Sequence, residues 1–480
     1  MSSSVRGALV WSFAERYASL VVTVASTMIL ARLLTPIQVG IFSLCAAVST
    51  VAGILRDFGV SEYLIQEKEL DKDKMRAAFG IALIIGWSIG LSVFLMRNIV
   101  ASFFNEPGVA SVLGVLSLNF FFLPFASPAF ALLTRELAFR KIFLIQTSCN
   151  AVQATAAVTL AYLGHGYMSL AWAPVISIAT QVLLTTLVHP HGSVLWPSFR
   201  NNRAVLNYGS LFVTSRVLET IVRNAHEFII GKQLGFATVG LFSRAFGLIE
   251  LFYTNFTSAL LRVTTPLFAK GHRDGDDLAA KYSFSTTMLT AIAWPFFGFV
   301  AIMAPELIRV LFGSQWTEAA PIARILALAI MPTYLSAMGP SMLAATGQIK
   351  RRLLITAWYA PVHLVALLVA SFWGPWAMAA AFGLSNTVQM LMYVSQLPKI
   401  LGCRRRDLFR GCQKSATLAL ACISVQYLAA HICSLYVAPS LVALVLVGIA
   451  ALLSWILVAR LLSHPAYLEL ARLIKSRRPA

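Results

Sequence analysis

Ile29-Leu30-Ala31-Arg32-Leu33-Leu34, followed by Val39-Gly40-Ile41-Phe42-Ser43, returns 200 residues later as Ile229-Ile230-Gly231-Lys232-Gln233-Leu234 and Val239-Gly240-Leu241-Phe242-Ser243. Arg16 falls on Arg216 at the same offset. Any two apolar helices look alike, yet a shared Val-Gly-(Ile/Leu)-Phe-Ser behind a cationic helix end, at one register, is not a product of hydrophobicity alone. The chain therefore reads as a duplication, with one half over 1–200, a second over 201–400 and a remainder at 401–480.

Both copies sit in membrane-like sequence. Of 480 residues, 58% are apolar and 12% charged, and the mean hydropathy is +0.77, whereas a soluble domain carries about a quarter charged residues. That excludes most soluble enzymes. A helix needs about 20 mainly apolar residues to cross the hydrocarbon layer, and about 14 such segments can be laid down. They run over 11–34, 39–66, 77–103, 109–134, 142–163, 167–188, 204–233, 236–268, 281–303, 317–345, 352–372, 375–398, 413–434 and 438–461. The first is too long for a signal peptide, contains Glu15 and Arg16 and lacks a small-residue cleavage site, so it is taken as a permanent helix. Six helices separate the two copies, so both enter the membrane in the same sense, as in a parallel repeat. The expected fold is an all-α polytopic membrane protein, two six-helix bundles followed by a C-terminal helix pair.

Lys and Arg gather in short cytoplasmic loops. With the N-terminus inside, the inside loops and tail hold 26 Lys and Arg, against 3 near the outside turns, Arg32, Lys232 and Arg309. A missed or invented helix would scramble this segregation, so the helix count is even and both termini are cytoplasmic. The net charge of +19 is then topology. A nucleic-acid binder would carry its cations on a wettable surface; here the partner of the basic loops, Arg404-Arg405-Arg406 above all, is anionic inner-leaflet lipid. Six cysteines with no Cys-x-x-Cys pair, most inside apolar segments, read as small core residues and not as a disulfide or zinc framework.

An ionisable residue at membrane depth costs about 2.5–3.5 kcal/mol on insertion scales, which makes it a candidate functional residue. Seven arginines lie at such depth, Arg16, Arg56, Arg216, Arg223, Arg244, Arg262 and Arg324, with five carboxylates, Glu15, Asp57, Glu219, Glu227 and Glu250. Arg216, Glu219, Arg223 and Glu227 fall within an arc of about 80° on one helix, with His226 beside them. Such a stripe faces the interior or water. It is either a ladder of salt bridges that lets polar residues be buried, or the lining of a cleft that holds an anion such as a pyrophosphate. In the second case the carboxylates cancel excess charge or carry coupling protons. The surplus of arginine, whose planar fork fits phosphate oxygens, favours the cleft, and transporter sites lie where two repeats face each other. The candidate substrate-binding residues are Arg16, Arg56, Arg216, Arg223, Arg244 and Arg262; the five carboxylates are the candidate coupling or charge-balancing residues. Pro124, Pro128, Pro174, Pro266, Pro295, Pro332, Pro340 and Pro361 interrupt apolar segments and bend helices, as hinges or as fixed kinks.

Gly231-Lys232 is followed by Gln233 and lacks the upstream glycine spacing of a P-loop; His226-Glu227 opens an H-E-x-x-H pattern that ends on Ile230; no G-x-S-x-G occurs. No catalytic residue, metal or cofactor is expected, and the chain is not read as an enzyme.

Trp11-Ser12-Phe13-Ala14-Glu15-Arg16, Ile29-Leu30-Ala31-Arg32-Leu33-Leu34-Thr35-Pro36 with Val39-Gly40, Leu55-Arg56-Asp57-Phe58-Gly59-Val60 and Leu64-Ile65-Gln66 resemble the opening of Wzx-type polysaccharide flippases. These belong to the multidrug/oligosaccharidyl-lipid/polysaccharide exporter superfamily; past these motifs the chain matches only in helix count and layout. The resemblance implies two bundles in a V that alternate access. It also implies transfer of an undecaprenyl-pyrophosphate-linked oligosaccharide from the cytoplasmic to the outer leaflet of the bacterial cytoplasmic membrane, for exopolysaccharide, capsule or O-antigen assembly, beside a polysaccharide polymerase and export machinery. The family's cationic lumen would correspond to Arg16 and Arg56, which lie in the matched motifs; the other four arginines join them by depth and sign. Two rivals remain. An ion-coupled drug exporter of the same superfamily would want a less cationic lumen, and a membrane polymerase or ligase of lipid-linked sugars would want a large external loop, where the outside turns here are short.

Overall fold

Helix is the only regular structure among the described residues of the computed structural model, which are 3–57, 64, 71–188, 197, 203–436 and 439–475, with side chains for all but 3–16, 57, 203–216, 405 and 473–475. The helices are α1 (Ser3–Leu33), α2 (Pro36–Asp57), α3 (Lys72–Phe104), α4 (Pro107–Arg135), α5 (Phe139–Tyr162), α6 (Tyr167–Val188), α7 (Arg203–Gln233), α8 (Phe236–Asp274), α9 (Leu278–Ile302), α10 (Ala304–Leu311), α11 (Ala319–Ala345), α12 (Ile349–Ser371), α13 (Pro375–Leu401), α14 (Arg405–Leu435), α15 (Ser440–Leu461) and α16 (Pro465–Lys475). All but α10 and α16 coincide with the apolar segments. Among the described residues ten helices, α2, α3, α4, α6, α8, α9, α11, α12, α14 and α15, are long and apolar enough to cross a membrane. The chain is an all-helical, multi-pass membrane protein.

Local chemistry sets the helix ends. Thr35 N–H donates to Gln38 Oε1 (3.0 Å) and Gln38 N–H to Thr35 Oγ1 (3.4 Å), a reciprocal box at the start of α2. Asp71 accepts from Lys74 N–H (2.7 Å) and Asp277 from Ala280 N–H (3.0 Å), satisfying donors that α3 and α9 leave spare. α14 begins at Arg405 and not near 413, so Arg406 and Arg410 ride on its first turns; a helix leaving the apolar layer keeps its backbone bonded internally and need not unwind there.

The chain forms two compact units, Met1–Gly240 and Leu241–Ala480. In the first, Ile41, Leu44 and Cys45 of α2, Phe104 of α3, Val109, Val112 and Leu113 of α4, and Ala171 and Val175 of α6 make a buried core. Gly231 of α7 lets α2 close in, since a Cβ there would lie 2.5 Å from Leu44 Cδ1. Lys232 Nζ donates to Phe103 O and sits 4.7 Å from the centre of that ring, closing the last turn of α3.

In the second unit α14 packs along α9. Pro295 has no N–H, so the Ala291 carbonyl loses its helical donor; Trp455 Nε1–H of α15 supplies the replacement at 2.8 Å. Two helices are interrupted, α8 by a π turn at Tyr253–Thr257 and α11 by a 3-10 turn at Met331–Ser336. α9 stabilises the second interruption: Trp294 Nε1–H donates to Met331 O (2.8 Å) and Tyr282 O–H to Leu335 O (3.0 Å). Irregular backbone at membrane depth persists only where the protein re-satisfies it in this way. Of the prolines expected to bend helices, Pro124, Pro128, Pro174, Pro266, Pro295 and Pro361 lie inside continuous helix, while Pro332 lies within the break in α11 and Pro340 just after it.

Candidate substrate site

α7 runs without a break from Arg203 to Gln233, so Glu219, Arg223 and Glu227, four residues apart, share one face. Burial changes along that face: Glu219 is half-buried, Arg223 exposed and Glu227 buried. His226 is only 3% exposed and puts Nε2 3.7 Å from Glu227 Oε1, while Glu227 Oε2 has no hydrogen-bond partner among the described residues. Arg56 is half-buried in the last turn of α2, which packs along α7. Glu15, Arg16, Asp57 and Arg216 stand on helical backbone, and their side chains lie outside the described residues.

In the second unit the named charges are strung along α8. Arg244 is half-buried, with Cζ 5.2 Å from the ring centre of Trp316 and 5.5 Å from that of Phe312, both within cation–π range. Its Nε–H is enclosed and has no acceptor among the described residues. Glu250 is half-buried just before the π turn, and Arg262 is exposed beyond it. At 1.5 Å per residue, Arg244 and Arg262 are about 27 Å apart along the axis, so they do not form one cluster. Arg324 is otherwise employed: its Nε donates to Ala301 O (3.0 Å) in the last turn of α9, capping that helix.

The sequence reading passed over one buried polar network. His363 of α12, 1% exposed, has Nδ1 3.0 Å from Tyr359 O–H and 2.7 Å from Ser385 Oγ of α13, and Tyr359 O–H donates to Asn386 Oδ1 at 3.2 Å. Tyr359 and His363 are four residues apart and so share a helix face. That spacing, beside Ser385-Asn386 in an apolar helix, is the signal from which the network could have been found. Among the described residues no group of three or more His, Cys, Asp or Glu is placed to hold a metal ion.

All-helical, with ten helices among the described residues long and apolar enough to cross a membrane, the chain is an integral membrane protein. The chain belongs to the polysaccharide biosynthesis protein family, whose profile matches residues 29–321. It is 22% identical over 304 residues to the lipopolysaccharide biosynthesis protein WzxC of Escherichia coli (strain K12), a match covering 62% of this chain and 61% of the relative. It is 24% identical over 319 residues to the succinoglycan biosynthesis transport protein ExoT of Rhizobium meliloti (strain 1021), covering 66% of this chain and 64% of that one. The chain thus spans less than two thirds of the length of either relative. Its fold is that of the lipid II flippase MurJ in an inward closed conformation, with a TM-score of 0.74 over 94% of this chain and 99% of that chain, at 12% identity. The family expected from the opening motifs is the one found. The matched span takes in Arg56, Arg216, Arg223, Arg244 and Arg262, and Arg16 precedes it.

Proposed function

We propose that this chain is a flippase that moves an undecaprenyl-pyrophosphate-linked oligosaccharide from the cytoplasmic to the outer leaflet of the bacterial cytoplasmic membrane, for exopolysaccharide, capsule or O-antigen assembly. The observation that carries this reading is membership of the polysaccharide biosynthesis family by a multi-pass membrane chain. The relatives' own descriptions, lipopolysaccharide biosynthesis and succinoglycan transport, favour it over a drug exporter, as does an arginine-rich interior that would repel cationic drugs. Transfer between leaflets requires no bond-making chemistry from the chain. Membrane lipid surrounds it, and a polysaccharide polymerase and export machinery act beside it.

In this reading the substrate's pyrophosphate binds Arg16, Arg56, Arg216 and Arg223 of the first unit, while Arg244 and Arg262 extend the cationic lining in the second. Glu15, Asp57, Glu219 and Glu250 balance charge, and Glu227 with His226 carries a coupling proton; the enclosed, half-satisfied Glu227 carboxylate supports that assignment.

The chain crosses the membrane fourteen times, through α1–α9 and α11–α15, with both termini cytoplasmic. Its lobes, 1–200 and 201–400, are a parallel duplication, followed by a helix pair at 401–480. This topology puts the α5–α6, α12–α13 and α14–α15 turns on the outer side. Exposed aromatic residues at all three support it, Tyr162 (81%), Trp373 (73%) and Tyr436 (80%), because aromatic side chains gather at membrane–water interfaces.

The test is transport of a labelled lipid-linked oligosaccharide in proteoliposomes, with Arg16→Ala and Arg223→Ala variants shown to be folded and inserted. The reading expects wild-type transport and its loss in both variants. Normal transport by the variants removes the site, and none by the wild type removes the function.

A further inference from the structure

The two interrupted helices of the second unit break at one place. Phe252, the residue of α8 before its π turn, sets its ring 5.6 Å from that of Tyr334 in the 3-10 turn of α11, edge to face. Both rings pack on Phe297 of α9, at 5.2 and 5.1 Å. Pro332 favours the break in α11, whereas no proline or glycine imposes the one at Tyr253–Thr257. A 3-10 stretch inside a long helix is a common form of hinge, and π turns recur at functional positions.

The backbone can change register at both breaks without baring a carbonyl. In α8, Thr254 Oγ1–H donates to Glu250 O and Asn255 Nδ2–H to Leu251 O, both at 2.8 Å, and Ser258 Oγ–H donates to Thr254 O. In α11, Thr333 Oγ1–H donates to Ile330 O (2.6 Å) and Ser336 Oγ–H to Thr333 O (3.1 Å). Side chains thus hold these carbonyls whichever backbone N–H turns to them, which is the condition for irregular backbone at membrane depth. The bonds from Trp294 and Tyr282 tie the 3-10 turn to α9 near both its ends, at Met331 O and Leu335 O, so an axis through it stays in place.

Beyond the breaks two arms pack on each other, Ser258–Asp274 of α8 and Gly339–Ala345 of α11. Thr264 O–H donates to Met338 Sδ at 3.6 Å, and Phe268, Met342 and Leu343 are fully buried. Each arm runs into a turn with a glycine in the left-handed region, Gly275 (φ 75°) and Gly347 (φ 73°), where an added Cβ would meet nothing within 4 Å. The arms are therefore joined to one another, and each has a turn at either end that can absorb a rotation.

We propose that the π turn of α8 and the 3-10 turn of α11 form one paired hinge, on which the arms 258–274 and 339–345 swing as a single body during transport. Under the topology proposed above, the arms reach the cytoplasmic face. The role in transport rests on the flippase reading; the swing itself does not.

Pulsed electron–electron distances between spin labels test this in full-length protein in lipid nanodiscs, in a Cys403→Ser background. One label is carried by Thr417→Cys, exposed on α14, which packs along α9; the other by Lys270→Cys on the first arm or Ala345→Cys on the second. Lys270 lies about 18 Å along the axis from Ser258, so a change of about 20° in the bend moves it by about 6 Å. The otherwise unaltered chain should show two distances at each position, in matching proportions. Deletion of Asn255 removes the extra residue that a π turn holds, and Pro332→Ala returns an N–H to α11. Each should shift both pairs toward one distance, a change on one helix being read on the other. Thermal unfolding identifies the folded variants, and should the deletion not fold, Pro332→Ala read at Lys270→Cys makes the same test. A single distance in the unaltered chain, or a variant that shifts one arm alone, overturns the paired hinge. In the proteoliposome assay a variant held at one distance should transport at least about tenfold more slowly; undiminished transport by it removes the swing from the transport cycle. Two distances in a protein that moves no lipid-linked oligosaccharide remove the flippase reading and keep the hinge.

Discussion

A Cβ added to Gly40 would lie less than 3.0 Å from the Phe236 carbonyl oxygen, and one added to Gly240 less than 3.0 Å from that of Pro36, so these two glycines, 200 residues apart, admit each other's helix in reciprocal fashion. The Gly40 Cβ would also meet Gly240 N at 3.0 Å. Backbone atoms cannot step aside as a flexible side chain can. Gly40→Ala and Gly240→Ala should each destabilise by about 1–3 kcal/mol in thermal unfolding. The double variant should cost less than the sum, because both methyls intrude on one crossing. Gly53 of α2 and Gly247 of α8, with nothing within 4 Å of an added Cβ, are the controls; alanine there should be neutral or stabilising, by up to about 1 kcal/mol.

Trp455 holds α15 to α9 through a carbonyl that a proline set free. Trp455→Phe leaves Ala291 O without its donor and should cost about 1–3 kcal/mol. Pro295→Ala restores an N–H to the same carbonyl, so Trp455→Phe should cost less in that background. A double-mutant cycle on unfolding temperature checks this, and additive costs would mean that the indole bond is incidental.

The helical layout could be read from the chain because membrane crossing is a local property: apolarity over one stretch suffices. Segments expected at 204–233 and 375–398 are found as Arg203–Gln233 and Pro375–Leu401. Contacts with remote partners leave no such trace. Depth and sign put Arg244 and Arg324 in one class, yet one lies on two aromatic rings and the other caps a helix. The angular arc of Glu219, Arg223 and Glu227 follows from 100° per residue, but not that Glu227 alone is buried, which depends on what packs against α7. The break in α11 was marked by Pro332. The π turn at Tyr253–Thr257 contains neither proline nor glycine and had no local mark.

His464, between α15 and α16, is fully buried; its Nδ1 accepts from Ala466 N–H (3.1 Å), so the neutral ring carries its proton on Nε2 and donates to Ser415 Oγ (3.1 Å), which donates to Thr287 O (3.1 Å). Burial, and then the nearby Lys414 charge, hold its pKa below the usual histidine range. An undocked His464 titrates near about 6.5. Below that pH the undocked state binds more protons, so docking of α16 is at full strength above it and weakens as pH falls. Amide exchange in α16, corrected for intrinsic rates, should therefore quicken from about pH 7.5 to about pH 5.5. His464→Asn, which can still cap the helix, should flatten the trend.

Cys403, in the turn between α13 and α14, is half-buried, whereas the other five cysteines are buried. Burial, then the charges of Asp407 and Asp277, raise its thiol pKa, and the thiolate is the reacting form. Maleimide should modify this cysteine selectively and slowly near neutral pH, and Asp407→Asn should speed it. In sealed vesicles the reagent should reach it only from the cytoplasmic side; labelling from the outer side alone would reverse the proposed orientation.

The substrate is tested by mass spectrometry of the polyprenyl lipids of a depletion strain. One undecaprenyl-pyrophosphate oligosaccharide should accumulate as the protein is depleted, while the surface polysaccharide built from it disappears. An unchanged lipid pool with intact surface polysaccharide would contradict the proposed substrate.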